Sequence, residues 1–168
     1  SITEKRGYFI AGKFDQFQRT IPYSAVAEAF SDLVRQILTE SAARLADWKS
    51  RILAAVGPNG RVISDVIPDV ALLIGPQPAV DKLGATESLN RFNLVLGNFI
   101  QVFCRAEHPV VLFLDDLQCA DSASLKLIEL VMKDSQIRSL LLIGAYRDNE
   151  VDATHPLTTT LSVLRKSG

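Results

Sequence analysis

The residues best suited to chemistry are two adjacent carboxylates, Asp115 and Asp116, which follow an uninterrupted run of five apolar residues, Val110–Leu114. Like charges this close raise each other's pKa, and a divalent cation would relieve the repulsion. Oxygen ligands suit Mg²⁺, which binds through one or two carboxylates together with phosphate oxygens. A single Asp here could equally cap the next turn or helix. The adjacent pair instead indicates a metal-assisted phosphate site, with Asp115 and Asp116 as candidate metal ligands.

A third candidate, Arg147, lies just beyond a second apolar run, Leu140–Ile143. Residues 122–134 separate the two runs and have helical spacing. Four apolar residues of that helix are expected to face inward: Leu125, Ile128, Val131 and Met132. Strand, helix and strand form a βαβ unit, which implies a parallel sheet. Ligands of such sheets bind beyond the carboxyl ends of the strands. We therefore expect Asp115, Asp116 and Arg147 at one edge of the sheet.

Further alternation of strands and helices surrounds this unit. Residues 8–11 read as a buried strand, and helical patterns begin near residues 24, 41, 86 and 156. Residues 57–86 contain four of the seven prolines together with several glycines, which indicates an irregular insertion of short helices broken by turns. The pattern predicts a three-layer α/β domain with a parallel sheet.

Length and composition limit the class of protein to which the chain can belong. The chain has 168 residues, a net charge of -1 and 48% hydrophobic residues, values typical of one ordinary globular domain. The balanced charge gives no electrostatic reason to expect nucleic acid. There is no apolar run long enough to span a membrane and no signal-peptide pattern, so we expect a cytoplasmic protein without membrane contact. The two cysteines form no metal-binding spacing and are expected to be reduced thiols.

One stretch imitates a phosphate-binding loop. Residues 7–14 read G-x-x-x-x-G-K-F and match the G-x-x-x-x-G-K-[ST] pattern in all but the last position. Phe14 replaces the hydroxyl that would bind Mg²⁺, and the residues between the glycines are strand-like. A phosphate cradle needs free backbone N–H groups instead. This stretch is therefore interpreted as a strand.

Three segments carry a family resemblance. The segment that contains the acidic pair reads VVLFLDDLQCADSASLKLIELV, and it resembles the Walker B segment of AAA-like ATPases of the signal-transduction (STAND) type. LLLIGAYRDNEV resembles the next strand with its sensor segment, and the opening GYFIAGKFDQFQRTIPYSA is similar to the segment after the nucleotide-binding loop in large bacterial hybrid kinases, especially cyanobacterial ones. Those proteins combine a serine/threonine kinase, this ATPase-like module, a sensor domain and a histidine kinase.

The resemblance implies roles for individual residues. Asp115 would hold Mg²⁺ through water, Asp116 would orient the attacking water, and Arg147 would contact the terminal phosphate of ATP. Lys13 and Arg19 could contact phosphate or a partner, although solvated surface charge is the ordinary interpretation for both. Cys119 stands where the family usually has Trp, a difference that concerns local packing more than chemistry.

The resemblance also implies an arrangement of strands. Related ATPases have the strand order 5-1-4-3-2, in which residues 8–11, 110–114 and 140–146 would be strands 2, 3 and 4. The first strand and its phosphate loop would lie upstream of Ser1. We therefore expect the chain alone not to bind ATP tightly, and its open strand edge to favour self-association.

These observations favour a fragment of an ATP-binding, ATP-hydrolysing regulatory module in a multidomain signalling kinase, whose neighbouring kinase and sensor domains would be its partners. A non-catalytic interaction or scaffold module with the same fold is the alternative. A phosphoacceptor receiver domain also has an acidic pair after a strand, but only 52 residues follow Asp116, which are too few for the rest of that fold.

Overall fold

Three parallel strands form the sheet of the protein. A computed structural model describes residues 7–18 and 21–167. The strands are β1 (Tyr8–Lys13), β2 (Val110–Asp115) and β3 (Leu140–Gly144), paired in the order β1-β2-β3. Both pairings are parallel, as expected. This arrangement is consistent with the P-loop NTPase-like α/β fold, because it reproduces the predicted order of strands 2, 3 and 4.

Helices fill the connections between the strands. They are α1 (Ser24–Ile37), α2 (Ala42–Val56), α3 (Gly60–Val66), α4 (Val70–Ile74), α5 (Ala85–Phe103), α6 (Ser122–Lys133) and α7 (Pro156–Ser167). Residues 57–86 hold the short helices α3 and α4, followed by a stretch without regular structure at 75–84. Met132 was expected to face inward but is exposed, because the buried stripe of α6 ends at Val131.

The helices cover one face of the sheet more completely than the other. Right-handed crossovers that run in one direction, from β1 to β2 to β3, place their helices on the same face. The strand at residues 8–11 was expected to be buried, but only one of its faces is: Tyr8 and Ile10 are buried, whereas Phe9 between them is 57% exposed. On the same side as Phe9, Leu141 of β3 is 56% exposed. β2 is mostly buried because it lies between the other two strands.

Gly12 allows the first helix to lie close to the sheet. A Cβ atom added at residue 12 would lie 1.9 Å from the backbone oxygen of Ala25 in α1. Only a residue without a side chain permits this approach of backbone to backbone. Because Tyr8–Lys13 forms β1, the interpretation of the G-x-x-x-x-G-K-F stretch as a strand is confirmed. Its second glycine, Gly12, is explained by the close packing of α1.

Candidate functional site

The carboxyl ends of the three strands bring the predicted residues together. Lys13 ends β1 directly opposite Asp115, which ends β2. The next residue, Asp116, lies within 3.6 Å of Arg147, which follows β3 by three residues. The structure therefore places Asp115, Asp116 and Arg147 at one edge of the sheet, where ligands of such sheets bind.

Asp115 is the outermost member of the site on β2. Its Oδ1 accepts a hydrogen bond from the backbone N–H of Asp116 at 2.9 Å. Its Oδ2 lies 3.7 Å from the Lys13 ammonium. The Asp115 side chain is partly exposed.

Asp116 sits at a sharp change of chain direction. Its backbone is left-handed, with φ 52° and ψ 45°, a conformation that Asp tolerates better than most residues. A 3-10 turn at Leu117–Cys119 follows, and the Cys119 N–H donates to the Asp116 carbonyl at 2.8 Å. The hydrogen bond within this turn fixes the backbone of Asp116, from which the carboxylate projects.

Three polar side chains surround the Asp116 carboxylate. Its Oδ1 accepts a hydrogen bond from Gln118 Nε2 at 3.0 Å and lies 3.6 Å from Arg147 Nε. Its Oδ2 lies 3.1 Å from Lys13 Nζ. The hydrogen bonds from Gln118 and Lys13 lower the pKa of this carboxyl below its ordinary value. Asp116 is thereby held as an anion, the form needed to accept a proton or bind a cation.

Arg147 is anchored by its own neighbour. Its Nη1 donates to Glu150 Oε1 at 3.0 Å, and this hydrogen bond is the main reason why the pKa of Arg147 is raised. The Arg147 side chain is otherwise largely exposed. An exposed guanidinium at the mouth of the site can meet a phosphate in the fork geometry that such groups favour.

Gln118 is a site residue to which the sequence interpretation assigned no role. Its side chain is 2% exposed. The amide nitrogen donates to Asp116, and the amide oxygen accepts the backbone N–H of Arg147 at 3.3 Å. One buried amide therefore joins the end of β2 to the end of β3. Its place within the LDDLQ segment was the only signal in the sequence.

Lys13 is also part of the site, contrary to its interpretation as a solvated surface charge. Although 63% of its side chain is exposed, its ammonium pairs with both carboxylates. Those contacts, the hydrogen bond to Asp116 first, raise the pKa of Lys13. The sequence did not reveal the pairing, because it depends on the register between β1 and β2. Arg19 lies outside the described residues.

A hydrogen bond joins the residue before α1 to the first turn of α6. Asp121 caps α6 by accepting the backbone N–H of Ser124 at 2.8 Å. The backbone N–H of Tyr23, just before α1, donates to the Ser124 hydroxyl at 3.1 Å. The first turns of both helices are thus fixed to each other.

A cleft of about 550 Å³ opens beside the acidic pair. Its walls include Lys13, Asp116, Gln118 and Arg147, together with Ser24 from the start of α1. The volume is in the range of ordinary small-molecule sites, which are several hundred cubic ångströms. Lys13, Asp116 and Arg147 therefore line a space that can hold a ligand, whereas Asp115 is not among its lining residues.

The donor set fits a magnesium ion coordinated jointly with phosphate. The Oδ2 atoms of Asp115 and Asp116 both face the Lys13 ammonium, so the two carboxylates already converge on one positive charge. No group of three or more metal-binding side chains occurs among the described residues. Two carboxylates suffice for Mg²⁺ when substrate phosphates and waters supply the other ligands.

The two cysteines differ in their surroundings. Both are free thiols; Cys104 is buried, and burial raises its pKa to about 12. Cys119 is partly exposed and lines the cleft. Cys119 is therefore the thiol that a reagent in the cleft can reach. In the described part of the chain, no helix is both long and apolar enough to cross a membrane.

Comparisons with known proteins identify the family. Residues 1–143 match the family model of the AAA ATPase domain. The "Hybrid signal transduction histidine kinase G" of Dictyostelium discoideum is 46% identical over 127 residues, which is 76% of this chain and 4% of the relative's length. No solved structure matches the chain significantly. Because the family model covers most of the sequence, the chain belongs to the AAA ATPase domain family.

Proposed function

We propose that this chain is part of an ATP-binding and ATP-hydrolysing regulatory module in a multidomain signalling kinase. The observation that carries the proposal is the meeting of Asp116 and Arg147 beside a cleft at the carboxyl edge of the sheet, with Asp115 as the preceding residue at the end of β2. Membership of the AAA family supports nucleotide and Mg²⁺ use. The similarity to a hybrid signal transduction histidine kinase supports the signalling context, with neighbouring kinase and sensor domains as partners.

Each residue has a proposed role at the sheet edge. Asp115 and Asp116 would hold Mg²⁺, which supplies charge neutralisation at phosphate oxygens when it is bound. Asp116 would also orient the attacking water, and Arg147 would contact the terminal phosphate. Gln118 would keep Asp116 and Arg147 in register through its two hydrogen bonds. In phosphoryl transfer of this kind, catalysis is mainly positioning and charge stabilisation.

A non-catalytic interaction module is the second candidate. It is favoured by the exposed apolar side chains of Phe9 and Leu141, since apolar side chains left exposed on one face of a sheet can bind another protein segment.

Binding of a fluorescent ATP analogue with Mg²⁺ would separate the two candidates. We would measure it on this chain and on a version extended upstream in its natural context. The ATPase proposal predicts that the extended version binds the analogue. It also predicts that Asp116→Asn in the extended version lowers the rate of ATP hydrolysis by about 10²-fold or more. Asp65→Asn is the matched control, because Asp65 forms an exposed pair with Arg61 outside the cleft. Absence of binding by the extended version would refute the ATPase proposal and favour the interaction module.

A further inference from the structure

The Lys13 ammonium lies where the oxygens of the two acidic residues converge. It is 3.1 Å from Asp116 Oδ2 and 3.7 Å from Asp115 Oδ2. Arg147 approaches Asp116 from the other oxygen, Oδ1. The two positive side chains therefore do not compete for the same atom, and Lys13 alone contacts both carboxylates.

We propose that Lys13 is a displaceable counter-ion of this site, which occupies the carboxylate oxygens in the absence of a divalent cation and must leave them when the cation binds. The inference rests on the proposed function, because it takes Asp115 and Asp116 as the Mg²⁺ ligands. Mg²⁺ binds oxygens at about 2.0–2.1 Å. An ammonium that stayed within hydrogen-bonding distance of the same oxygens would be strongly repelled by the metal's charge.

The contacts of Lys13 allow its side chain to move while its backbone stays fixed. Its backbone N–H donates to Glu28 Oε2 at 3.2 Å, and its residue is paired within the sheet. The side chain is mostly exposed and makes its ion pairs only through the terminal ammonium. Arg147 differs, because Glu150 holds its guanidinium in place.

Once displaced from the carboxylates, the Lys13 ammonium could contact a ligand in the cleft. Lys13 itself lines the cleft beside the acidic pair. A freed ammonium on a flexible four-carbon stem can reach an anionic group in that space. Cation binding would then convert Lys13 from a partner of carboxylates into a partner of phosphate, which couples the two binding events.

Binding of Mn²⁺, measured by electron paramagnetic resonance without any nucleotide, tests the counter-ion role. Lys13→Met removes the competing charge and should bind Mn²⁺ about five- to tenfold more tightly than the unaltered chain at low salt. Lys13→Arg keeps the charge and should bind within about twofold of the unaltered chain. Lys126→Met is the matched control, since Lys126 is similarly exposed and pairs with Glu129 on α6. It should not change Mn²⁺ binding.

The double variant Lys13→Met with Asp116→Asn should lose the tight binding, which locates the ion at the acidic pair. Circular dichroism would verify that every variant is folded. Equal or weaker Mn²⁺ binding by Lys13→Met, or no binding by either chain, would overturn the inference. A failure of nucleotide binding would not be confused with this result, because the Mn²⁺ measurement contains no nucleotide.

Discussion

Replacing Gly12 by alanine should force β1 and α1 apart. The added Cβ would lie 1.9 Å from the Ala25 oxygen and 2.6 Å from the Ala25 carbonyl carbon. The first distance is 1.5 Å shorter than the 3.4 Å at which ordinary contact begins. Both obstructing atoms belong to the backbone of a buried helix turn, so a side-chain rotation cannot relieve the overlap.

We expect Gly12→Ala to lower the free energy of unfolding by about 3 kcal/mol, the upper end of the usual cost of overpacking. That is a large share of the roughly 5–15 kcal/mol that stabilises a typical domain. Gly97→Ala is the matched control, because a Cβ at residue 97 of α5 would meet no atom within 4 Å. This second substitution should raise the free energy of unfolding by about 0.5–1 kcal/mol through helix propensity.

Urea denaturation followed by Trp48 fluorescence would measure both changes. Trp48 is the only tryptophan of the chain, and its ring is buried and stacked on Phe103 at 5.3 Å between centroids. A free energy of unfolding for Gly12→Ala within about 0.5 kcal/mol of the unaltered chain would refute the packing argument. If Gly12 belonged to a phosphate loop instead, alanine would weaken nucleotide binding and leave stability unchanged.

Three further outcomes are expected. Because the pKa of Asp116 is lowered in the folded state, its stabilisation is complete above the ordinary carboxyl pKa and is lost as pH falls through the lower folded value. As pH falls below about 4, Asp116→Asn should therefore lose less thermal stability than the unaltered chain, and an equal fall in melting temperature for the two chains would contradict this. In the native state a maleimide should label Cys119 much faster than the buried Cys104, and equal labelling rates detected by mass spectrometry would disprove the burial argument. If the open sheet edge supports self-association, Leu141→Lys or Ile143→Lys should lower the association seen in sedimentation velocity, whereas unchanged association would exclude this surface.

The sequence was sufficient to predict the three strands and the positions of three residues of the candidate site. Five consecutive apolar residues predict a central strand, and β2 occupies residues 110–115. The acidic pair after that strand and Arg147 after the next one were placed at the same sheet edge, where the structure has them. Such inferences succeed because strand direction and the right-handed crossover follow from local patterns and general stereochemistry.

Only the tertiary structure showed how the site is completed. Lys13 lies about a hundred residues before the acidic pair, and it joins that pair because β1 and β2 align Lys13 with Asp115. Gln118 is buried and forms hydrogen bonds with Asp116, which follows β2, and with Arg147, which follows β3. The residue type alone indicates neither its burial nor these two partners. Local patterns determine which segments become strands and helices. The register between distant strands depends on packing of the whole core, and it decides which charges meet.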